Sequence, residues 1–381
     1  MTGYPRIRIH ISRIRENAAA ITAMLGKYDI KCYGVTKVMC GMPEVGKALL
    51  QGGCCGLADS RVENLEKLRA AGIETSYMLL RLPMISEAQR VVLAADVSLI
   101  SEVSTAWALG RAAVASGRVH GLVLMVDVGD LREGVWPPED AAAVALEMDA
   151  IPGVRIEGVG VNLACYGGVL PDDLNMGRFA EVASRVEEAL GRELSIISGG
   201  NSSGLAFAAE GRLPACINSF RVGESIILGR DVADRSPFPG TRQDTVEIQG
   251  EILELRVKPS VPIGLRGQDA FGGHSSFEDR GEVFRAIVAL GRQDIVPDTL
   301  EPLTEGARIL GASSDHLIVD LTDTAHCNTA HCNTDHSAVN CENGSTAAGI
   351  LKTGDVLTFE PGYGCLLAAM TSPYVKKEVI L

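Results

Sequence analysis

A regular change of period along the first 230 residues constrains this chain more than any other feature. Short runs rich in β-branched residues alternate with longer, Ala-rich stretches of helical spacing. The strand-like runs fall at 31–36, 55–58, 76–80, 97–101, 121–127, 156–162, 194–198 and 217–221, with helix candidates at 43–50, 60–71, 104–115, 138–146, 171–190 and 202–209. Asp59-Ser60, Gly129-Asp130, Gly199-Gly200 and Gly229 mark breaks between them. A strand repeats its faces every two residues and a helix every 3.6, so the two patterns do not substitute for one another. Eight strands alternating with helices over about 200 residues is the arithmetic of a parallel (β/α)8 barrel, an α/β TIM barrel. A doubly wound open sheet alternates in the same way but usually carries a G-x-G-x-x-G turn after its first strand. Here that segment reads Lys37-Val-Met-Cys-Gly, which favours the barrel.

The flanks read differently. One strand (7–11) and one helix (12–25, with Ser12 as N-cap) precede the barrel. Beyond Asp231, Ser236-Pro-Phe-Pro-Gly leads into alternating runs at 246–257, 283–295, 307–310, 316–321 and 356–359, with hairpin spacing and no long helix. The expected organisation is therefore an N-terminal strand over 1–11 that joins a C-terminal antiparallel β-domain at 236–381, with the barrel at 12–235 between them.

Composition bounds the function. There are 35 Lys and Arg against 48 Asp and Glu, a net charge of −13. Nucleic acids and anionic membranes reward clustered cations, so neither is the expected partner. No apolar run approaches the ~18 residues of a membrane span, and the opening MTGYPRIRIHIS lacks a signal peptide's apolar core. A cytoplasmic protein is expected. Of ten cysteines, seven sit among apolar or glycine-rich neighbours, where a reduced Cys packs as a small hydrophobe.

In a barrel, functional groups sit at the C-terminal ends of the strands and in the loops that follow. Those places hold Lys37 after the first strand, Arg132 after the fifth, Asn162 at the end of the sixth, Ser198-Gly-Gly-Asn-Ser-Ser-Gly after the seventh, and Arg221-Val-Gly-Glu-Ser after the eighth. A Lys at a strand end loses its proton readily when buried, which suits Schiff-base chemistry, although a solvated strand-end Lys has the same local sequence. Asn201 and Ser202 open a helix whose free N–H groups suit an anion; a plain Gly-rich turn with a Ser cap reads alike. Gly223 and Glu224 form a second such turn. A Lys, two anion cradles and two Arg on one rim describe a cofactor with a phosphate and a carbonyl carbon, pyridoxal 5'-phosphate (PLP).

These residues also carry a resemblance. The stretches 33–41 (Tyr-Gly-Val-Thr-Lys-Val-Met-Cys-Gly), 57–64, 199–204, 220–224, 258–264, 289–294 (Ala-Leu-Gly-Arg-Gln-Asp), 311–316 (Gly-Ala-Ser-Ser-Asp-His) and 370–375 are spread over nearly the whole chain. In that order they resemble the alanine racemase fold of PLP-dependent enzymes (fold type III), most closely its ornithine-racemase-like branch. The resemblance implies a barrel with a C-terminal β-domain, and a homodimer in which each β-domain caps the partner's barrel head to tail. It implies that Lys37 binds PLP and serves as one acid/base, and that Arg221 faces the pyridine nitrogen. Ser202 with the Gly223 and Glu224 amides would take the phosphate, Tyr374 being a further candidate, and Arg132 would stand near the phenol oxygen and the substrate carboxylate. An Arg opposite the pyridine nitrogen keeps its own proton, so the ring is a weaker electron sink than with a carboxylate partner. That favours reprotonation at Cα over transamination.

Two departures stand out. The family's opposite-face tyrosine is replaced by Arg292, so the second acid/base falls to Arg292, Asp315 or His316. The tyrosine that usually touches the phosphate after the lysine is Gly41. A basic substrate needs a carboxylate for its distal ammonium, for which Asp294 and Asp315 are candidates; Asn162 and Ser314 complete the expected substrate contacts. The expected activity is interconversion of L- and D-ornithine or lysine by proton transfer at Cα. Alternatives are an alanine or broad-specificity racemase, a metal-assisted PLP lyase of the D-serine dehydratase or D-threonine aldolase type, and a non-catalytic PLP carrier.

One segment stands apart. Within 324–349 the unit Thr-Ala-His-Cys-Asn occurs twice, and His326, His331 and His336 lie near Cys327, Cys332 and Cys341. The residue types suit Zn²⁺, but adjacent His-Cys pairs are not the usual C-x2-4-C spacing. The expected reading is an expanded loop that interrupts the β-domain, with no metal site.

Overall fold

The computed structural model describes residues 3–274, 276–325 and 351–381. Two compact units divide the chain, one spanning residues 10–245 and the other joining the N-terminal residues through Ile9 to 246–380. Residues 236–245, expected with the β-domain, fall in the first unit. Phe238 N and Thr241 Oγ1 donate to Gly229 O, at 2.8 and 2.7 Å. Asn17 Oδ1 accepts from Arg242 N at 2.7 Å, so the segment is bonded back onto the barrel's own elements.

The strand β1 (Arg6–His10) comes first in the chain. The eight that follow close the barrel: β2 (Lys31–Val35), β3 (Gly56–Asp59), β4 (Ser76–Leu79), β5 (Val97–Ile100), β6 (His120–Met125), β7 (Val154–Gly160), β8 (Ile196–Ser198) and β9 (Ser219–Val222). Each overlaps an expected run. Every neighbouring pair is parallel, and β2 pairs β9 with Tyr33 opposite Arg221, which shuts the barrel. Inside, Val35, Ala58, Met78, Leu99, Val123 and Met125 form one aliphatic core. With aromatics at 4 % of the chain, branched aliphatic and Met side chains fill it. The helix after β1 runs Ile11–Gly26 and begins one residue before the expected cap, so Ser12 lies inside it; His10 holds the cap position without a side-chain bond.

In the second unit, β10 (Val246–Pro259), β11 (Glu282–Val288), β12 (Leu300–Pro302), β13 (Arg308–Ala312), β14 (Leu317–Asp320) and β15 (Val356–Pro361) follow the order β12-β15-β10-β11-β14-β13. β1 pairs antiparallel with β10 and also with β16 (Lys376–Ile380). Four details differ from expectation. The run 283–295 ends as a strand at Val288, a helix forms over Tyr363–Thr371, and β12 and β16 add two strands. The helix is apolar around its circumference, so no amphipathic period announces it. β16 opens Lys-Lys-Glu, a charged edge rather than an alternating apolar run. Among the described residues, no helix is long and apolar enough to cross a membrane.

Candidate active site

All the predicted barrel residues lie at the C-terminal rim. Lys37 opens the 3-10 turn Lys37–Met39 directly after β2 and is half-buried. Its neighbour Thr36 is fully buried and donates Oγ1–H to Asp59 Oδ2 at 2.7 Å. Asp59 ends β3 and also accepts from Arg61 N and Asn64 Nδ2, at 3.0 and 2.9 Å. Burial raises the Asp59 pKa despite these bonds. This buried anchor fixes the backbone from which Lys37 projects. Gly41 adopts φ +60°, and a Cβ there would lie 2.7 Å from Asn64 Cβ and 2.9 Å from its backbone. The absence of a tyrosine at 41 is therefore built into the packing of this turn.

Arg221, on β9, is 2 % exposed. Its guanidinium donates to Ser198 Oγ, to Val161 O at 2.7 Å and to Asn162 Oδ1 at 2.7 Å. Burial pulls its pKa down to about 10, opposed chiefly by the charge of Glu133, so it remains a cation at neutral pH. Arg132 projects from the loop after β6, which Asp127 folds by accepting from Gly129 N and Leu131 N at 2.8 and 3.2 Å. Buried Asp130 ties this loop to the one after β7 by accepting from Tyr166 N and Gly167 N, each at 3.0 Å. Arg132 pairs with Glu133 through Nε and through Nη2, the latter at 2.6 Å, and Glu133 also accepts from Asn162 Nδ2. The bond to Glu133 is the main cause that raises the Arg132 pKa. Sequence reasoning passed over Glu133 and Asp59. The available signals were a strand-end position for Asp59 and adjacency to Arg132 for Glu133.

The anion cradle is also formed. Ser202 Oγ accepts from Gly223 N and Ser225 N, both at 3.3 Å, so two amides from the turn after β9 converge on one hydroxyl. Ser225 Oγ is buried and has no hydrogen-bond partner, a cost that a phosphate oxygen would remove. Asn201 caps the next turn by accepting from Ser203 N at 2.8 Å and donates to Leu163 O at 3.1 Å. Glu224 pairs with Arg235; burial raises its pKa, while the charges of Arg235 and Lys37 oppose that rise. These groups fit a phosphate at the cradle, with Lys37 and the arginines on the same rim.

The second cluster belongs to the β-domain unit. Arg292 N and Gln293 N donate to Ser313 O and Ser314 O at 2.9 and 3.1 Å, so two loops lie against each other. A Cβ at Gly291 would overlap the Ser314 carbonyl, which makes glycine the residue that permits this approach. Asp315 is exposed and accepts from Gln293 Nε2 and Ser314 Oγ, each at 2.6 Å. Arg292 is exposed, donates to Ala312 O at 3.2 Å and lies over the Phe271 ring at 5.0 Å. Arg292, Ser314 and Asp315 are therefore brought together, with His316 exposed beside them. Asp294 is not part of this group. It is buried and accepts from Ser372 Oγ at 2.7 Å. Tyr374 is 67 % exposed.

A cavity of about 670 Å³ opens at the other, N-terminal mouth of the barrel, lined by Lys31, Tyr33, Asp96 and Arg155 among others. No predicted site residue lines it. The residues His326, Cys327, His331, Cys332, His336 and Cys341 lie outside the described residues.

A (β/α)8 barrel with a strand-end lysine, an anion cradle and a buried arginine on its rim, plus an antiparallel β-domain, defines a class of cofactor-binding enzyme fold. The family model described as alanine racemase, N-terminal domain, matches residues 9–231. An ornithine racemase from Acetoanaerobium sticklandii is 41 % identical over 99 % of this chain and 100 % of its own length. A lysine racemase from Thermotoga maritima is 38 % identical over 98 % of each. The solved alanine racemase of Streptomyces lavendulae superposes with a TM-score of 0.75 at 17 % identity, covering 100 % of this chain and 98 % of that one, a likeness of fold. The chain belongs to the alanine racemase family.

Proposed function

We propose that this protein is a PLP-dependent racemase of a basic amino acid, ornithine or lysine. The observation that carries the cofactor reading is the barrel rim, where Lys37, the Ser202 cradle with its unpartnered Ser225 hydroxyl, and buried Arg221 occupy consecutive strand ends. The substrate class rests on the two relatives matched over nearly the full chain, which are named for ornithine and lysine.

When bound, PLP would acidify the substrate Cα–H by delocalising the charge left behind. Ser202, Asn201 and the Gly223, Glu224 and Ser225 amides would hold its phosphate, and Arg221 would be the partner of its ring nitrogen. Lys37 holds or takes the Cα proton on one face. The positive charge of Lys37 favours the Glu224 carboxylate, which is held by Arg235. Arg132 and Asn162 orient the substrate carboxylate. The opposite-face proton and the distal ammonium are assigned to the group Arg292, Ser314, Asp315 and His316 of a partner subunit in a head-to-tail homodimer. Asp315 is the acid for the ammonium, because its carboxylate is exposed whereas that of Asp294 is committed to Ser372. Arg292 holds substrate and the neighbouring His316 is the proton carrier, since a guanidinium is a poor base at neutral pH and Asp315 is taken up by the ammonium.

A chiral screen of L-ornithine, L-lysine and L-alanine tests the proposal. Turnover is expected with ornithine or lysine at least about tenfold above alanine, the discrimination of one good charged contact. Equal turnover of all three would favour a broad-specificity racemase, and release of a keto acid or aldehyde would favour a lyase.

A further inference from the structure

We propose that Glu133 is the positioning residue of the rim, which holds the guanidiniums of Arg132 and Arg221 in one fixed arrangement. It acts directly on Arg132 and through Asn162 on Arg221. The inference rests on the PLP reading above and deepens it by naming what sets the geometry of the two arginines.

Both oxygens of the Glu133 carboxylate are spent inside the site. Oε2 accepts from Arg132 Nε, while Oε1 accepts from Arg132 Nη2 at 2.6 Å and from Asn162 Nδ2. The first two bonds form a bidentate fork, the strong and directional form of an Arg–carboxylate pair. The third fixes the Asn162 amide. With Nδ2 turned to Glu133, Oδ1 faces the other way, where it accepts from Arg221 Nη2 at 2.7 Å. The Glu133 side chain is 14 % exposed and Arg221 is 2 % exposed, whereas Arg132 is 41 % exposed, so solvent screens the Arg221 end of this chain of bonds weakly and the Arg132 end more. Its charge matters as much as its shape. The Arg132 cation disfavours the Arg221 cation, whereas the Glu133 anion favours it. Without Glu133, two guanidiniums would share the rim with only a neutral amide between them.

A glutamine at 133 cannot replace this. Its amide offers one acceptor and turns an NH2 toward groups that are themselves donors. Aspartate keeps the charge and both acceptors on a shorter stem.

The experiment compares wild-type, Glu133→Gln and Glu133→Asp holoenzymes, reading the pH midpoint of the bound cofactor's visible band and, separately, kcat and KM for ornithine or lysine. Removing a negative charge favours the deprotonated form of any titrating group nearby, so the Glu133→Gln midpoint is expected to move down by roughly one pH unit. The kcat should fall about 10–100-fold. Glu133→Asp should restore the midpoint to within a few tenths of a unit and most of kcat. Asn162→Ala keeps the Arg132 fork but removes one of the three partners of Arg221, so it should lower kcat with a smaller midpoint shift; it also serves if the glutamine variant fails to fold. An unchanged midpoint and kcat in Glu133→Gln, or in Asn162→Ala when that variant stands in for it, would overturn the role of Glu133. A wild-type protein with no visible band would overturn the cofactor reading itself.

Discussion

The barrel rim and the loop tip of the β-domain solve different problems with similar residues. Arg221 on the rim is almost fully buried, with three partners in hydrogen-bond reach. Arg292 at the tip is exposed and, among the described residues, makes a single side-chain hydrogen bond, to a backbone carbonyl. The carboxylates contrast in the same way: Glu133 spends both oxygens on Arg132 and Asn162 of its own rim, whereas among the described residues the Asp315 carboxylate accepts from neutral donors, Gln293 and Ser314. A buried, fully partnered network fixes a rigid group such as a cofactor, because its geometry costs nothing to assemble when the group binds. An exposed anion with neutral neighbours retains its attraction for an incoming cation. On the proposed reading, the rim serves the chemistry common to a family, and Asp315 at the tip serves the choice of substrate.

Changing residues on each side tests this division. Lys37→Ala should remove the visible cofactor band and lower racemisation of every substrate by about 10³-fold or more, the scale of losing a group that serves in binding and proton transfer. Retained activity with all substrates would refute its role. Asp315→Asn should keep the band, raise KM for ornithine or lysine about tenfold and leave alanine turnover unchanged; equal loss for all three would make Asp315 catalytic instead of selective. The smallest effect concerns stability, at the N-terminal end of a barrel strand. His120 is buried on β6, its Nε2 is 2.8 Å from Ser98 Oγ, and burial lowers its pKa to about 4. That value lies below the ~6.5 of an unfolded His, so the stabilisation is complete above pH ~6.5. It declines as pH falls from there toward 4, by about 3 kcal/mol in all. Denaturant unfolding at pH 7, 5.5 and 4 should show this slope, and a His120→Asn protein should show a flatter one.

The same contrast explains what the sequence made legible. The eight barrel strands stand out because each is a short apolar run bounded by turn residues, and a parallel barrel places function at the ends of those runs. Lys37, Arg132, Asn162, Ser202 and Arg221 could thus be picked out by position alone. Glu133 could not, because a carboxylate in a polar loop looks the same whether it points to solvent or closes a network. The β-domain was less readable. Its strands lengthen and stop for long-range reasons, as where the strand at 282–288 gives way to the Gly291 turn that seats one loop on another. Asp294 and Asp315 look equivalent in sequence, and only the burial of the first beside Ser372 separates them.

The most direct measurement of the central claim is proton exchange at Cα. Incubation of L-ornithine or L-lysine with the holoenzyme in D2O should yield the D-enantiomer with one deuterium at Cα. Mass spectrometry after chiral separation should find no keto acid or aldehyde. Deuterium-free product, or a keto acid or aldehyde in place of the D-enantiomer, would contradict the account.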